Sequence, residues 1–87
     1  MYTRITVYIL EKASSHQWYI GYTIDLKRRL VDHNSHKNKS TRSGKWRLMY
    51  AEYYLDKRDA LGREKFLKSG SGHRFIRKQL ANYLKLN

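Results

Sequence analysis

The sequence predicts an α+β fold in which helices flank a small three-stranded, mainly antiparallel sheet. Segments with the periodicity of strands and of helices follow one another in the order ββαβαα, which suits such a sheet. The length of 87 residues allows one modest hydrophobic core, and no linker divides the chain. We therefore expect a single domain over residues 1–87.

The three predicted strands are marked by different patterns. The first covers residues 4–11, whose apolar positions alternate between two faces: Ile5, Val7 and Ile9 on one side, and Thr6, Tyr8 and Leu10 on the other. Residues 17–23 form a second strand soon after it, so that the pair predicts a hairpin. Residues 46–55, which are rich in aromatic and large apolar side chains, predict the third strand.

The first predicted helix covers residues 26–34. Asp25 precedes it and can accept a hydrogen bond from the backbone of its first turn. The polar stretch over residues 35–45 has no apolar periodicity, and we expect it to be a loop.

The second predicted helix begins after Asp56 and continues to about Lys68. The run Ser69-Gly70-Ser71-Gly72 then predicts a break in the chain. We expect Ser71 or a neighbour to cap a last helix that ends near Leu84.

The charge balance indicates a polyanionic partner. Nineteen lysines and arginines oppose seven acids, which gives a formal net charge of +12. A basic surface that serves only solubility, or an architectural protein, would show similar totals. The lack of cysteine, of long apolar runs and of a signal-peptide pattern argues against secretion, membrane spanning and thiolate metal sites. We expect a cytoplasmic protein.

The two adjacent arginines of the first helix are not equivalent. At about 100° per residue, Leu26 and Leu30 define the stripe that faces the core. Arg29 and His33 lie along one edge of that stripe, whereas Arg28 points to solvent. Arg29 could also be a rim residue whose stem covers apolar surface, and His33 an ordinary surface imidazole.

Glu64 occupies an unusual position on the second helix. It lies within the apolar arc formed by Ala60, Leu61 and Leu67, where a carboxylate costs several kcal/mol unless it is paired or binds a cation. A structural salt bridge to an arginine and a metal-binding role are both open on this observation alone. The convergence of other polar groups on the same sheet favours the metal-binding role.

Tyr19 and Gly21 share one face of the second strand. A glycine in the middle of a strand usually marks a bulge or the close approach of another group. If Tyr8 lies on that face too, two phenols stand beside bare backbone, which is a suitable seat for a phosphate. The alternative is that both tyrosines are simply good strand formers.

Five elements in order resemble the GIY-YIG nuclease superfamily: Thr6-Val7-Tyr8, Tyr19-Ile20-Gly21, Arg29, His33 and Glu64. The resemblance extends from Val7 to about Leu80. The segments GYTIDLKRRLVDHN and GREKFLKSGSG look most like the small stand-alone members related to the nuclease domain of the excision-repair protein UvrC.

The match departs from the family pattern at three places. The first triplet reads Thr-Val-Tyr instead of Gly-Ile-Tyr, and Tyr22 stands where excision nucleases often have lysine. Some members use a late asparagine near the phosphate, for which Gln79 and Asn82 are the candidates here.

The resemblance implies a GIY-YIG fold and a metal-dependent endonuclease that cuts DNA. It assigns catalytic roles to Tyr8, Tyr19, Arg29, His33 and Glu64. Glu64 would bind the divalent ion, Mg²⁺ or Mn²⁺, and Arg29 would neutralise the scissile phosphate. Tyr8 is the candidate general base, with Tyr19 and His33 positioning the water or relaying its proton.

Basic residues outside this set are expected to contact phosphates without distinguishing bases. They comprise Lys37, Lys39, Arg42, Lys45 and Arg47 in and beside the long loop, and Lys68 and Arg74 near the last helices. We expect little intrinsic sequence specificity, which a protein partner could supply. Two alternatives stay open: a catalytically weak nucleic-acid-binding module, and the nuclease arm of a larger repair complex.

Overall fold

A computed structural model of the chain describes residues 4–35 and 44–85. Three strands and four helices occur in these ranges, in the order β1 (Ile5–Lys12), β2 (Trp18–Thr23), α1 (Leu26–Asn34), β3 (Trp46–Tyr54), α2 (Lys57–Leu67), α3 (Gly70–Gln79) and α4 (Ala81–Leu84). The predicted α+β class and the order of its elements are confirmed, except that the last predicted helix is divided in two. None of the helices in these two ranges is long and apolar enough to cross a membrane.

The three strands form one antiparallel sheet in the order β2-β1-β3, with β1 in the centre. The predicted hairpin is confirmed, and Tyr8 of β1 lies opposite Gly21 of β2. On the other side, the register shifts by one residue between Ile9 and Leu10, which leaves Met49 of β3 as an extra residue. The Tyr8–Gly21 pairing places two of the predicted site elements directly beside each other.

The sheet is covered on both faces. On one face, Val7 and Ile9 pack with Ile20 of β2 and with residues of α2 and α3, namely Ala60, Leu67 and Ile76. On the other face, Tyr8 and Leu10 pack with residues of α1 and of the neighbouring strands, namely Leu26, Leu30, Tyr19, Trp46 and Ala51. The alternation predicted for the first strand is confirmed.

Side-chain caps begin the first two helices where the sequence predicts them. The Asp25 carboxylate accepts a hydrogen bond from the Arg28 backbone N–H at 3.1 Å. The Asp56 carboxylate accepts one from the Arg58 backbone N–H at 2.8 Å. Each carboxylate accepts a hydrogen bond from a backbone N–H that has no acceptor within the helix. These hydrogen bonds therefore fix the residues at which α1 and α2 begin.

The predicted break between two helices is present, but it is shorter than residues 69–72, because α2 ends at Leu67 and α3 already begins at Gly70. Ser69 is its cap and accepts a hydrogen bond from the Gly72 N–H at 3.1 Å. A Cβ atom on Gly72 would lie 2.0 Å from the carbonyl oxygen of Phe66. This glycine therefore permits the close packing of α3 against the end of α2 and does not interrupt a helix.

The predicted last helix also ends earlier than expected. Gln79 is the final residue of α3, and Leu80 leaves helical geometry with φ −108° and ψ 30°. A single further turn, α4, follows. The predicted helix to Leu84 is therefore two helices.

A polar cluster joins β3 to α2. Arg63 donates two hydrogen bonds to Glu52, at 2.8 and 3.0 Å, and the hydroxyls of Tyr50 and Tyr54 donate to the same carboxylate. Burial opposes ionisation of Glu52, but these donors outweigh it and hold its pKa below the usual value. The guanidinium also lies over two aromatic rings, those of Phe66 and Phe75.

Candidate active site

A pocket of about 380 Å³ opens beside the edge strand β2. Four of the five residues predicted to be catalytic line it, namely Tyr8, Tyr19, Arg29 and Glu64. The fifth, His33, contacts Tyr8 from within the protein. Side chains from β1, β2, α1 and α2 are thus brought together, although they are up to 56 positions apart in the chain.

Gly21 provides the space that the two tyrosines occupy. A Cβ atom at this position would lie 2.8 Å from the Tyr8 hydroxyl oxygen and 3.1 Å from the Tyr19 ring. The close approach expected at Gly21 is therefore made by these two phenols. The sequence had suggested that the backbone of Gly21 is bare and could bind a phosphate. In the structure, the Tyr8 hydroxyl covers it.

Tyr8 and His33 form a buried pair at the inner wall of the pocket. Both side chains are completely buried, and 3.0 Å separates the Tyr8 hydroxyl from Nε2 of His33. The interpretation of His33 as a surface imidazole is wrong, because α1 lies on the sheet closely enough to enclose it. Tyr19 adds a ring contact, with its centroid 4.7 Å from that of His33.

Electrostatics favour the uncharged forms of both members of this pair. Burial lowers the pKa of His33, and the nearby Arg29 charge lowers it further. Burial raises the pKa of Tyr8, and the hydrogen bond from Arg29 offsets only part of that effect. At neutral pH the phenol therefore holds its proton, and the neutral imidazole is able to accept it.

Arg29 carries the clearest sign of a missing acceptor. Arg28 is exposed while Arg29 is half-buried, so the predicted difference between them is confirmed. Arg29 Nε is buried and has no hydrogen-bond partner among the residues that the structure describes. Leaving a charged donor buried and unpaired costs about 1–3 kcal/mol or more. An anionic ligand in the pocket would remove this cost.

Glu64 reaches the pocket from α2, and its side chain is 17% exposed. Its ionic contact is Lys68, whose Nζ lies 3.7 Å away, one helical turn further on. Among residues 4–35 and 44–85, Glu64 makes no salt bridge to an arginine, and its neighbour Arg63 is bound to Glu52. Glu64 therefore has carboxylate oxygens available at the pocket wall.

A divalent ion held by Glu64 fits these side chains. Within residues 4–35 and 44–85, no group of three or more His, Cys, Asp or Glu side chains is placed to hold a metal. A single carboxylate is compatible with Mg²⁺, which keeps several waters and takes further oxygens from a bound phosphate. The donor set thus matches an ion whose other ligands come from substrate and solvent.

A family model of the GIY-YIG catalytic domain matches residues 4–78. This chain belongs to the GIY-YIG family. The matched range includes every residue of the pocket described above, so the site lies within the domain that defines the family.

Relatives of this GIY-YIG chain carry the name UPF0213. The protein from Streptococcus pneumoniae is 42% identical over 64 residues, covering 71% of this chain and 64% of that protein. The protein from Pediococcus acidilactici is 41% identical over 73 residues, covering 79% and 69%. The matched region is thus slightly less than two thirds of the length of the streptococcal relative.

A further UPF0213 relative, from Bacillus halodurans, has a solution NMR structure. It superimposes with a TM-score of 0.53 at 36% identity, covering 92% of this chain and 84% of that one. The fold is thus shared with a solved member of the same group.

The basic residues that were predicted to contact nucleic acid lie in several separate parts of this GIY-YIG domain. Lys37, Lys39 and Arg42 lie outside the described residues. Lys45 is exposed, and Lys68 pairs with Glu64 as above.

Arg47 and Arg74 make hydrogen bonds within the protein. Arg74 is exposed and donates to Ser71. Arg47 donates two hydrogen bonds to the buried Glu11, at 3.1 and 2.9 Å. The positive charge of Arg47 is therefore largely engaged within the protein.

Sequence reasoning overlooked some of the pocket wall. Thr23 lies on the same face of β2 as Tyr19 and Gly21, and the alternation of the strand was sufficient to identify it. Tyr22 also lines the pocket, at the position that follows the glycine. The two candidates for a late asparagine, Gln79 and Asn82, are exposed and do not line it.

Proposed function

We propose that residues 1–87 act as a metal-dependent endonuclease domain that hydrolyses phosphodiester bonds in DNA with little intrinsic sequence specificity. The observation that carries the proposal is the buried, unpaired Nε of Arg29 in a pocket that it shares with Tyr8 and Glu64. A cation without an acceptor, a phenol and a carboxylate suit a phosphate that is attacked by water.

Arg29 would bind the scissile phosphate. Its planar guanidinium is always charged and can donate to two phosphoryl oxygens at once. Because negative charge builds on these oxygens as water adds, the interaction strengthens in the transition state and accelerates the reaction.

Tyr8 and His33 would carry the proton of the attacking water. As the water oxygen bonds to phosphorus, its proton passes to the Tyr8 oxygen while the Tyr8 proton passes to Nε2 of His33. Such a transfer never requires a free phenolate, and so it is compatible with the raised pKa of Tyr8. The bond from phosphorus to the 3′ oxygen then breaks, and the departing oxygen takes a proton from a solvent water, while the proton on His33 is released to solvent. Tyr19, against the His33 ring, would position the water.

Glu64 would hold the divalent ion, Mg²⁺ or Mn²⁺. When bound, the ion supplies positive charge to the phosphate and to the departing 3′ oxygen. Because Glu64 is a single carboxylate next to Lys68, the ion would bind weakly in the absence of nucleic acid.

The net charge of +12 supports a nucleic-acid partner, and low sequence specificity follows because contacts with phosphates are independent of sequence. Any strong sequence preference would then come from a protein partner. We place the activity in the cytoplasm, in keeping with a chain that has no cysteine.

The test is a cleavage assay with labelled single-stranded, duplex and branched DNA in Mg²⁺, Mn²⁺ or EDTA. We expect products with either ion and none in EDTA. Glu64→Gln should remove cleavage and leave DNA binding nearly unchanged, because affinity comes from the cationic surface. Asp59→Asn, at an exposed carboxylate of the same helix, is the matched control and should remain active.

Two results would contradict the proposal. Cleavage in EDTA, or full activity of Glu64→Gln, would exclude the assigned role of the carboxylate. Tight DNA binding without cleavage in either ion would instead favour a nucleic-acid-binding module.

A further inference from the structure

A series of connected pockets continues from the candidate active site along β2. A pocket of about 450 Å³ shares Tyr19 with the active-site pocket. It shares Gln17, Trp18 and His73 with a larger pocket of about 810 Å³. We call the two outer pockets the β2 groove, defined by Trp18, Lys68, His73, Arg77 and Lys85.

The groove lies within a short reach of the proposed reaction centre. Trp18 is three residues before Gly21 on the same strand, which corresponds to about 10 Å at the usual rise of a strand. Trp18 and Gly21 point to opposite faces of β2, but β2 is an edge strand of the sheet. A ligand chain that is bound at Arg29 and passes around this edge would therefore enter the groove within a short distance.

Two aromatic rings contact each other inside the groove. The ring centroids of Trp18 and His73 are 4.9 Å apart, with an interplanar angle of 38°. Trp18 also packs against the hydrophobic core, which fixes its orientation. Both rings line both outer pockets. A fixed aromatic surface of this kind binds unpaired bases by stacking, whatever their identity.

The charged side chains that line the groove are mostly cationic. Lys68, Arg77 and Lys85 are exposed. Glu11 is the single acid among its described lining residues, and only 3% of its side chain is exposed. Its carboxylate is enclosed by Tyr83, Arg47 and His16, each within hydrogen-bond distance. The surface that a ligand would meet is therefore positive.

We propose that the β2 groove binds an unpaired segment of the DNA strand that is cut. One base stacks against the ring pair of Trp18 and His73, and the backbone phosphates lie near Lys68 and Arg77. The proposal rests on the proposed nuclease function for the location of the scissile phosphate, and it makes DNA with unpaired bases next to the cut the preferred substrate. In a duplex, bases are stacked on one another and offer only their edges to a protein.

Helix α3 supplies a matched pair of cations for the test. Arg77 follows His73 by four residues and lies on the same side of the helix. Lys78 is the next residue, is also exposed, and lines none of the three pockets. Arg77→Gln and Lys78→Gln therefore remove equal charge from the same helix, but only one change is in the groove.

The experiment measures binding in EDTA, where no cleavage takes place. The probes are labelled oligothymidine of about 12 nucleotides, an abasic oligomer of the same length, and a duplex of the same length. We expect the wild-type protein to bind oligothymidine about tenfold more tightly than the abasic oligomer, as stacking of one base predicts. His73→Ala should abolish this preference, and His73→Phe should retain it.

The charge pair gives the second readout. Arg77→Gln should weaken binding of oligothymidine several-fold more than Lys78→Gln. The proposal would be overturned if the Arg77→Gln and Lys78→Gln variants lost the same affinity for oligothymidine. It would also be overturned if the wild-type protein bound oligothymidine and the abasic oligomer equally, or bound the duplex more tightly. If the His73→Ala variant does not fold, the proposal is still tested by the wild-type affinities for the three probes and by the Arg77→Gln and Lys78→Gln variants.

The outcome is independent of the nuclease proposal. Base-dependent binding through the groove in a protein that never cleaves would support the groove and reject the catalytic function. Metal-dependent cleavage without base-dependent binding would reject the groove alone.

Discussion

Arg29 and Arg63 are both half-buried arginines on helices that pack against the sheet, yet their surroundings differ. The Arg63 guanidinium donates two hydrogen bonds to Glu52 and lies over aromatic rings. Arg29 contacts the Tyr8 hydroxyl, but its buried Nε has no partner among the described residues. Since burial costs a charged group its hydration, the unpaired arginine is the one that indicates a ligand.

Two glutamates show the same difference. Glu52 accepts hydrogen bonds from Arg63, Tyr50 and Tyr54. In the part of the chain that the structure describes, the ionic contact of Glu64 is one largely exposed lysine. Arg63 and Glu64 are neighbours on α2, about 100° apart around the helix. One side of α2 therefore holds the fold together while the adjacent side supplies the site.

The largest effect is expected for Arg29→Ala, which should reduce DNA cleavage about a thousandfold, the scale for a group that neutralises transition-state charge. Its melting temperature should change little, because the variant also removes an unpaired buried donor. Initial cleavage rates and thermal melts measure the two quantities.

Arg28→Ala is the control for this variant, since Arg28 is exposed on the same helix. It should keep most of the wild-type cleavage rate. Equal losses in the two variants would mean that the difference in burial between these arginines has no bearing on the activity.

The two glutamates should respond oppositely to the same change. Glu52→Gln leaves Arg63 without its carboxylate partner and should lower the free energy of unfolding by about 2–3 kcal/mol. This loss is smaller than for a fully buried pair, because the side chains of Glu52 and Arg63 are 18% and 25% exposed. Glu64→Gln, in metal-free protein, should change it by less than about 0.5 kcal/mol, since an ion pair with an exposed lysine contributes little. Urea unfolding in EDTA measures both. A larger loss for Glu64→Gln would assign Glu64 to the fold instead of the site.

Mild acid should destabilise the protein through His33. Burial lowers the pKa of His33 below its usual 6.5, so the unfolded chain takes up this proton before the folded protein does. The stability contributed by the neutral imidazole is complete above about pH 6.5 and is lost below it, at no more than about 1.4 kcal/mol per pH unit.

Unfolding experiments between pH 7 and 5.5 test this, with His33→Gln as the comparison. The lowered pKa values of Glu11 and Glu52 act below this range, because their usual value is 4.5. An identical pH slope in the variant would show that His33 titrates freely in the folded protein.

The smallest effect is expected at Gly62, which lies next to Arg63 in α2. A Cβ atom there would meet nothing within 4 Å, so Gly62→Ala should stabilise the protein by about 0.5–1 kcal/mol through helix propensity alone. Gly72→Ala is the contrasting change and should be destabilising, because its Cβ would collide with the Phe66 carbonyl. Destabilisation by Gly62→Ala would imply a contact at this position that the structure does not show.

Much of the fold could be predicted from local patterns. The two faces of β1, the caps of α1 and α2 and the difference between Arg28 and Arg29 all follow from strand and helix periodicity. The position of Glu64 beside the buried Ala60 and Leu67 likewise pointed to the pocket, although Leu61, the third residue of the predicted apolar arc, is exposed. These features depend on residues close together in the chain, and so they can be read from the sequence.

The rest depends on which distant residues meet. Burial of His33 requires α1 to close over Tyr8, 25 positions earlier, and the role of Arg63 depends on Glu52 from β3. The low helix propensity of glycine suggested a break at Gly72. Its close packing against Phe66 is a tertiary contact, which propensity does not reveal. By itself, the sequence determined the elements, their faces and the candidate catalytic residues. Only the tertiary structure decided which charged groups are paired, because pairing depends on non-local distances that periodicity does not encode.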